Sequence, residues 1–337
     1  MPMEKKKGAL FGASVHVERV FGMGRKEELA SFLDLYPRTI EAENIEEHAL
    51  ELADCEVIFA TWGMFAPKAE LLDRMSALRA VFYAAGTVQQ FARPFLDRDI
   101  LVTSAWDANA VPVAEFTLAQ IILSLKRFFY NEDCCRTPAG RERMKGFNAQ
   151  IPGAFGATVA LMGAGMIGSK VAEWLRPLDV EVVVLDPFLT DARARALGVE
   201  KVSLEAAFER AYVVSNHVAN LPATVGMIRG RHFESMREGA TFVNTGRGAT
   251  VDEGEMAQVF ARRPDLTALL DVTDPEPPRD DSAFYRLANV HVSSHIAGSM
   301  GNEVVRVADW AIRSYREWEA GEPVRYAVTK DMLETMA

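Results

Sequence analysis

Residues 157–188, ATVALMGAGMIGSKVAEWLRPLDVEVVVLDPF, limit the fold more than any other stretch of the chain. Gly163, Gly165 and Gly168 form a GxGxxG spacing. An apolar strand pattern leads into it and an amphipathic helix follows. A second apolar run, EVVVLD, ends at Asp186, eighteen residues past the last glycine. A strand–turn–helix–strand unit of this kind lets the backbone approach a pyrophosphate and sets its charge on a helix N-terminus. Asp186 is placed to accept from ribose hydroxyls and to repel a 2′-phosphate, which favours NAD over NADP. Met166 can offer a phosphate only its backbone N–H.

The fingerprint does not open the chain. About 150 residues precede it, and they already alternate strand and helix patterns. GALFGAS, CEVIFATWG, AVFYAAG and ILVTSAW read as strands; ELASFL, EEHALELA and ELLDRM read as helices. Strands separated by helix-length spacers predict a parallel sheet with helices on both faces. A long helix, ANAVPVAEFTLAQIILSLKRFF, comes next, with Pro112 expected in its first turn. RTPAGRERMKGFNAQIPGAFG reads as a linker or loop. A second βα series then runs to HVSSH, and a final helix is expected from about Asn302 to Ala320, ended by Gly321 and Pro323. The expected architecture is α/β, with a substrate domain over 1–108 and 302–337 and a cofactor domain over 109–301.

Composition narrows the function classes. A chain of 337 residues that is 49% hydrophobic and 25% charged is expected to fold without staples. Cys55, Cys134 and Cys135 have no metal-ligand or redox spacing, so no metal is expected and the thiols read as free, in a reducing, cytoplasmic setting. The start MPMEKKKGAL lacks the apolar run of a signal peptide, and no run approaches 18 apolar residues, so neither secretion nor a membrane span is expected. The net charge of −10 argues against nucleic acid as a partner. It also requires a local cation if the ligand is a small anion.

TFVNTGRGATVDEGEM supplies that cation. A strand ends in Arg247, flanked by Gly246 and Gly248, which are expected to let the backbone turn sharply. Asp252 is expected to cap the helix that follows, with Glu255 three residues on. The carboxyl end of a strand is where open α/β sheets bind ligands, and a guanidinium there can hold a carboxylate through two parallel hydrogen bonds. LTALLDVTDPEPPRDD presents Glu276 among Pro275, Pro277 and Pro278. A rigid carboxylate is what a histidine needs to fix its tautomer and stabilise its protonated form. In VHVSSHIAGSM, His291 falls inside a strand and reads as structural; His295 falls just past its carboxyl end and reads as the working histidine.

These pieces, with ANAVPVAE, VSNHVANLPAT and SSHIAG in the same order, resemble the D-isomer-specific 2-hydroxyacid dehydrogenases over nearly the whole chain. The resemblance implies two Rossmann-like domains, a flavodoxin-like substrate domain and an inserted NAD-binding domain, with the site in the cleft between them. It implies a catalytic set of Arg247, Glu276 and His295. It implies cofactor contacts from Gly163, Gly165, Met166, Ile167, Gly168, Asp186, His217, Thr245 and Asp271, the last near the nicotinamide amide. It places Ala85, Gly86, Asn109, Trp62 and Arg247 on the substrate side, and it implies that the segment 125–155 serves a homodimer contact. The sequence departs from the family where Ser294 replaces a frequent proline, where residue 166 is Met, where GFNAQIPGAFG replaces a tryptophan-containing segment, and where WGMF, residues 62–65, is bulky.

The reaction expected from the resemblance is reversible hydride transfer between NADH and a 2-oxo acid. Arg247 binds the carboxylate or polarises the carbonyl, and His295 exchanges the proton. The alternative is an NAD-binding corepressor or sensor that does not turn over. The Glu276 partner argues against a formate enzyme, which typically pairs its histidine with Gln. The chain runs only briefly past its last helix, which leads us to expect something other than the larger, feedback-regulated phosphoglycerate dehydrogenases. Glyoxylate or hydroxypyruvate fits by family frequency; Trp62, Met64 and Phe65 hint at a larger apolar side chain.

Overall fold

The computed structural model describes residues 5–147 and 151–334. It divides into two compact units, residues 1–110 with 299–337, and residues 111–298. The crossings lie two and three residues from those expected.

The first unit holds a parallel sheet of β1 (Lys6–Phe11), β2 (Leu33–Ile40), β3 (Val57–Ala60), β4 (Ala80–Tyr83) and β5 (Leu101–Ser104), in the order β2-β1-β3-β4-β5. β3 and β4 are buried along their whole length, as expected of strands covered on both faces. The order reverses between β1 and β3, so the loops after them, Gly12–Ala13 and Thr61–Met64, meet at the switch point where such sheets bind ligands. Ala13 N–H donates to Trp62 O at 3.0 Å.

The sequence does not mark β2 as a strand. LDLYPRTI carries a proline and several polar residues, and the structure puts it at the sheet edge, where both are tolerated. EEHALELA forms one 3₁₀ turn, Ile45–His48, in place of the expected helix. Ala53 and Cys55 bond back to Leu50 and Leu52 three residues away, because the chain must enter β3 only two residues after Cys55. One face of the sheet is closed by the helix Val304–Glu319, whose Tyr315 lies 5.7 Å from Phe59 and 5.5 Å from Phe82, ring centre to ring centre.

The second unit holds β6 (Ala157–Met162), β7 (Val180–Leu185), β8 (Glu200–Lys201), β9 (Val213–Asn216), β10 (Thr241–Asn244), β11 (Thr267–Leu270) and β12 (Val290–Val292). All pair in parallel, in the order β12-β11-β10-β9-β6-β7-β8. The order reverses between β6 and β9, so the glycine turn after β6 faces the loop after β9. Each fold is therefore a doubly wound sheet of the kind expected.

The long helix runs Trp106–Leu125, so Pro112 stands in its second turn and not its first. By length and composition alone this helix could cross a membrane, but half of that stretch is buried. Ala108 packs in the first unit's core, and Ala114, Ile121 and Leu125 in the second's. The expected linker is partly helical: Pro138–Met144 is capped by Thr137, whose hydroxyl accepts from Gly140 N–H at 3.0 Å. Arg127 ties this region down. Its guanidinium is buried, lies 4.7 Å from the ring centres of both Tyr130 and Phe147, and donates to Asp265 O at 3.0 Å. Residues 148–150 of the linker expectation lie outside the described residues.

Candidate active site

The glycine turn has the geometry a dinucleotide needs. Gly163 sits at φ +94°, where a side chain is strained, and a Cβ there would also meet His217 O at 3.0 Å. A Cβ on Gly168 would lie 2.0 Å from Gly163 O, so only glycine lets the helix Met166–Leu175 pack this close. Nothing lies within 4 Å of a Cβ on Gly165. The N–H groups of Met166 and Ile167 in that helix's first turn suit phosphate oxygens. Asp186 follows β7 directly. Its Oδ2 accepts from Ala164 N–H at 2.7 Å and its Oδ1 from Phe188 N–H at 2.8 Å. Each oxygen keeps a lone pair for a ribose hydroxyl. The residues present thus fit NAD.

His217 and Thr245, both expected on the cofactor side, belong to one chain of side-chain contacts behind the glycine turn. His217 Nε2 pairs with Ser215 Oγ at 3.0 Å, and its Nδ1 faces Thr245 Oγ1 at 3.5 Å, which pairs in turn with Thr117 Oγ1 at 2.9 Å. Both side chains are engaged inside the protein, where they back the glycine turn: a Cβ on Gly168 would lie 3.7 Å from His217 Cδ2. Burial pushes the His217 imidazole down to about 4. A folded value below the unfolded 6.5 means the unfolded chain takes up the proton first. The folded state therefore loses stability as pH falls from 6.5 to 4, and nothing further below that. At ~1.4 kcal/mol per pH unit the full linkage is about 3 kcal/mol, and solvent screening of a residue that keeps some exposure lowers the expected loss to about 2 kcal/mol. Denaturant midpoints followed across that range should flatten in His217→Gln; a slope identical to wild type would remove His217 from the acid response.

Arg247 leaves the end of β10 under tight control. Asn216 and Asn244 are paired in register at the ends of β9 and β10. Asn244 Nδ2 and Thr250 Oγ1 both donate to Arg247 O, at 3.2 and 2.8 Å, and Asn216 Nδ2 donates to Asn244 Oδ1 and Thr250 Oγ1. Gly246 and Gly248 are needed for closeness and not for a sharp turn, since neither has a positive φ. A Cβ on Gly248 would fall 2.1 Å from the Thr273 carbonyl carbon. The Arg247 loop and the Glu276 loop thus touch backbone to backbone. Burial holds the Arg247 guanidinium below its ordinary value, and the negative charge of Glu276 offsets part of this. An arginine so placed stays charged.

His295 Nδ1 lies 2.7 Å from Glu276 Oε1. A carboxylate only accepts, so Nδ1 carries the proton and Nε2 is left for a ligand. Both side chains remain about half exposed, at 49% and 41%. The loop presenting Glu276 has cis bonds at Asp274–Pro275 and Glu276–Pro277.

His295 has a left-handed backbone, φ +57°, which costs a non-glycine residue of order 1–3 kcal/mol and persists only where its surroundings enforce it. Asp271 supplies the enforcement. It is 1% exposed. Its Oδ1 accepts from Ser293 Oγ at 2.6 Å and Ile296 N–H at 2.9 Å, and its Oδ2 from Ala297 N–H at 2.9 Å. Its backbone carbonyl accepts from His295 N–H at 3.0 Å. Three internal donors turn this carboxylate toward the loop that carries His295, and Oδ2, with one of them, keeps a lone pair for the nicotinamide amide expected there. His291 packs against Phe129, ring centres 5.2 Å apart.

The substrate-side residues of the first unit cluster at the ends of β3, β4 and β5. Ser104 Oγ donates to the carbonyls of Ala85 and Gly86, at 2.9 and 2.5 Å. A Cβ on Gly86 would lie 3.5 Å from Asn109 Nδ2, while Asn109 Oδ1 accepts from Ser299 Oγ at 3.0 Å. Trp62 is half-buried, edge-on to His16 at 6.0 Å. Met64 is buried, and Phe65 stacks on Phe11 at 5.9 Å. The bulk of WGMF is thus largely spent on core packing, which weakens the hint of a larger substrate side chain. Among the described residues no group of three potential metal ligands occurs.

Sequence reasoning missed Asn216, Asn244, Thr250, Ser293 and Glu253, which hold these loops. Two strands that both end in Asn, VVSN and TFVN, were the available signal. The family model for the NAD-binding domain of D-isomer specific 2-hydroxyacid dehydrogenases matches residues 119–297. The chain belongs to this family. D-3-phosphoglycerate dehydrogenase from Mycobacterium tuberculosis is 31% identical over 321 residues, 95% of this chain and 56% of that protein. The enzyme of that name from Archaeoglobus fulgidus is 30% identical over 237 residues, 70% of this chain and 44% of that protein. The chain thus spans about half the length of these curated relatives. Among solved structures, the apo form of Rhodotorula graminis D-mandelate dehydrogenase matches with a TM-score of 0.79 at 20% identity, covering 97% of this chain and 98% of that one. D-lactate dehydrogenase with NAD+ from Lactobacillus jensenii matches with a TM-score of 0.73 at 18% identity, covering 96% and 100%. These two likenesses concern the fold.

Proposed function

We propose that this family member is an NAD-dependent oxidoreductase that interconverts a 2-oxo acid and a D-2-hydroxy acid. The His295–Glu276 contact at 2.7 Å beside a half-buried Arg247 carries this reading. Bound NADH supplies the hydride. Arg247 binds the substrate carboxylate or polarises the carbonyl. His295 Nε2 gives its proton to the oxygen as negative charge develops there, and takes it back in the reverse direction. Glu276 accepts from Nδ1–H and stabilises the imidazolium. The clamp from Asp271 keeps that imidazole aimed without reorganisation during the reaction.

The relatives' names set the panel. NAD reduction is measured with D-lactate, D-mandelate and D-3-phosphoglycerate, and NADH oxidation with the matching 2-oxo acids. Turnover with at least one pair, and preference for NADH over NADPH as Asp186 dictates, is the expected result. NADH binding with no turnover on any acid would sink the enzyme reading in favour of the sensor.

A further inference from the structure

We infer that Glu253 is a positioning residue for the catalytic set: it holds the loop that presents Glu276 to His295. The inference rests on the proposed reaction only for its kinetic arm.

Glu253 is the first residue of the helix Glu253–Arg262. That helix does not need it as a cap. Asp252 Oδ1 accepts from Glu255 N–H at 2.9 Å, and Glu255 itself reaches away to accept from Gly230 N–H at 2.7 Å. The Glu253 carboxylate goes to another loop, where its Oε1 accepts from Asp274 N–H at 2.8 Å. Asp274 stands two residues before Glu276. Just before it, Thr273 Oγ1 donates across Asp274 to Pro275 O at 2.9 Å and closes the turn. Pro275 and Pro277 have no N–H to donate, so the Asp274 amide is the natural handle by which this turn is held from outside.

The same short segment therefore touches the Glu276 loop twice. Gly248 sets the distance, with no room for a Cβ against Thr273. Glu253, five residues on, supplies the directional bond. Arg247 lies on this segment as well. The relative position of guanidinium and carboxylate is thus fixed by one stretch of chain, 247–253.

A carboxylate in this place is unfavourable for folding. Burial, together with the neighbouring Asp274 charge, pushes Glu253 up to about 7, against the pull of its bond from Asp274. The role needs an accepting oxygen at this reach and not the charge, so a neutral acceptor should serve it.

Two variants separate reach from charge. Glu253→Asp keeps the charge and loses the reach to Asp274. Glu253→Gln keeps the reach and an accepting oxygen. The first readout is the Nδ1–H proton resonance of His295, assigned by its loss in His295→Ala. The second is kcat and KM on the best acid of the panel, beside NADH affinity and melting temperature. In Glu253→Asp the resonance should move upfield or broaden, and kcat should fall about 10- to 100-fold while NADH affinity stays within about twofold. Glu253→Gln should restore the resonance and most of kcat. A purely structural role would lower the melting temperature and leave resonance and kcat untouched well below it; that result overturns the inference. So does an equal loss in both variants. If wild type turns over no acid, the reaction proposal fails and the resonance alone decides: moved in Asp and restored in Gln supports the positioning role, unmoved in Asp overturns it.

Discussion

His295→Ala should lower kcat by about 10²- to 10⁴-fold, the usual worth of a positioned general acid–base. NADH affinity should stay near wild type, because the glycine turn and Asp186, the groups proposed to read the dinucleotide, follow β6 and β7, away from the loop after β12. KM for the acid should change little if Arg247 carries most of the carboxylate binding. Glu276→Gln should fall in the same direction by less. The amide can still accept from Nδ1–H, at the 2.7 Å separation seen here, but brings no charge to stabilise the imidazolium. Stopped-flow turnover beside a fluorescence titration of NADH checks both. Wild-type turnover in the His295 variant would remove this residue from the chemistry.

Asp271→Ala should be the most destabilising single change in the site, by about 3–5 kcal/mol. The variant leaves three donors without an acceptor, and each orphaned buried donor costs roughly 1–3 kcal/mol before any relaxation. Removing their acceptor also frees the backbone of His295 to leave its left-handed conformation. Turnover should therefore fall together with stability. Asp271→Asn should lie between, since one of its two termini is an NH₂ that faces a donor. A denaturant series at constant m-value reads the loss. The competing role, a contact to the nicotinamide alone, makes the opposite forecast: weaker NADH binding with an unchanged denaturant midpoint.

Much of this site is readable from the amino-acid sequence, and the reasons are physical. Gly163, Gly165, Gly168 and Asp186 are legible because close approach to phosphate admits little else, and the spacing carries the geometry. Arg247, Glu276 and His295 are legible because each follows a strand whose apolar pattern is plain. The supporting layer is not. Glu253 and Asp271 act across 21 and about 25 residues of sequence, on backbone amides that have no letter of their own. His217 and Thr245 sit in motif positions, yet which way their side chains face depends on Ser215 and Thr117. At the level of the fold, β2 is hidden by its edge position, and the helix Pro138–Met144 by its glycine and arginines.

The first unit's dependence on the helix Val304–Glu319 sets an order on how the chain can be completed during synthesis. Its five strands are all made by residue 104, but the face bearing Phe59 and Phe82 waits for Tyr315 and its neighbours. At about 5–20 residues per second, that is roughly ten to forty seconds on the ribosome with an apolar sheet face open. The intervening residues 111–298 form a contiguous unit and can close first. The sheet of the first unit is therefore covered only after residues 111–298 have been made.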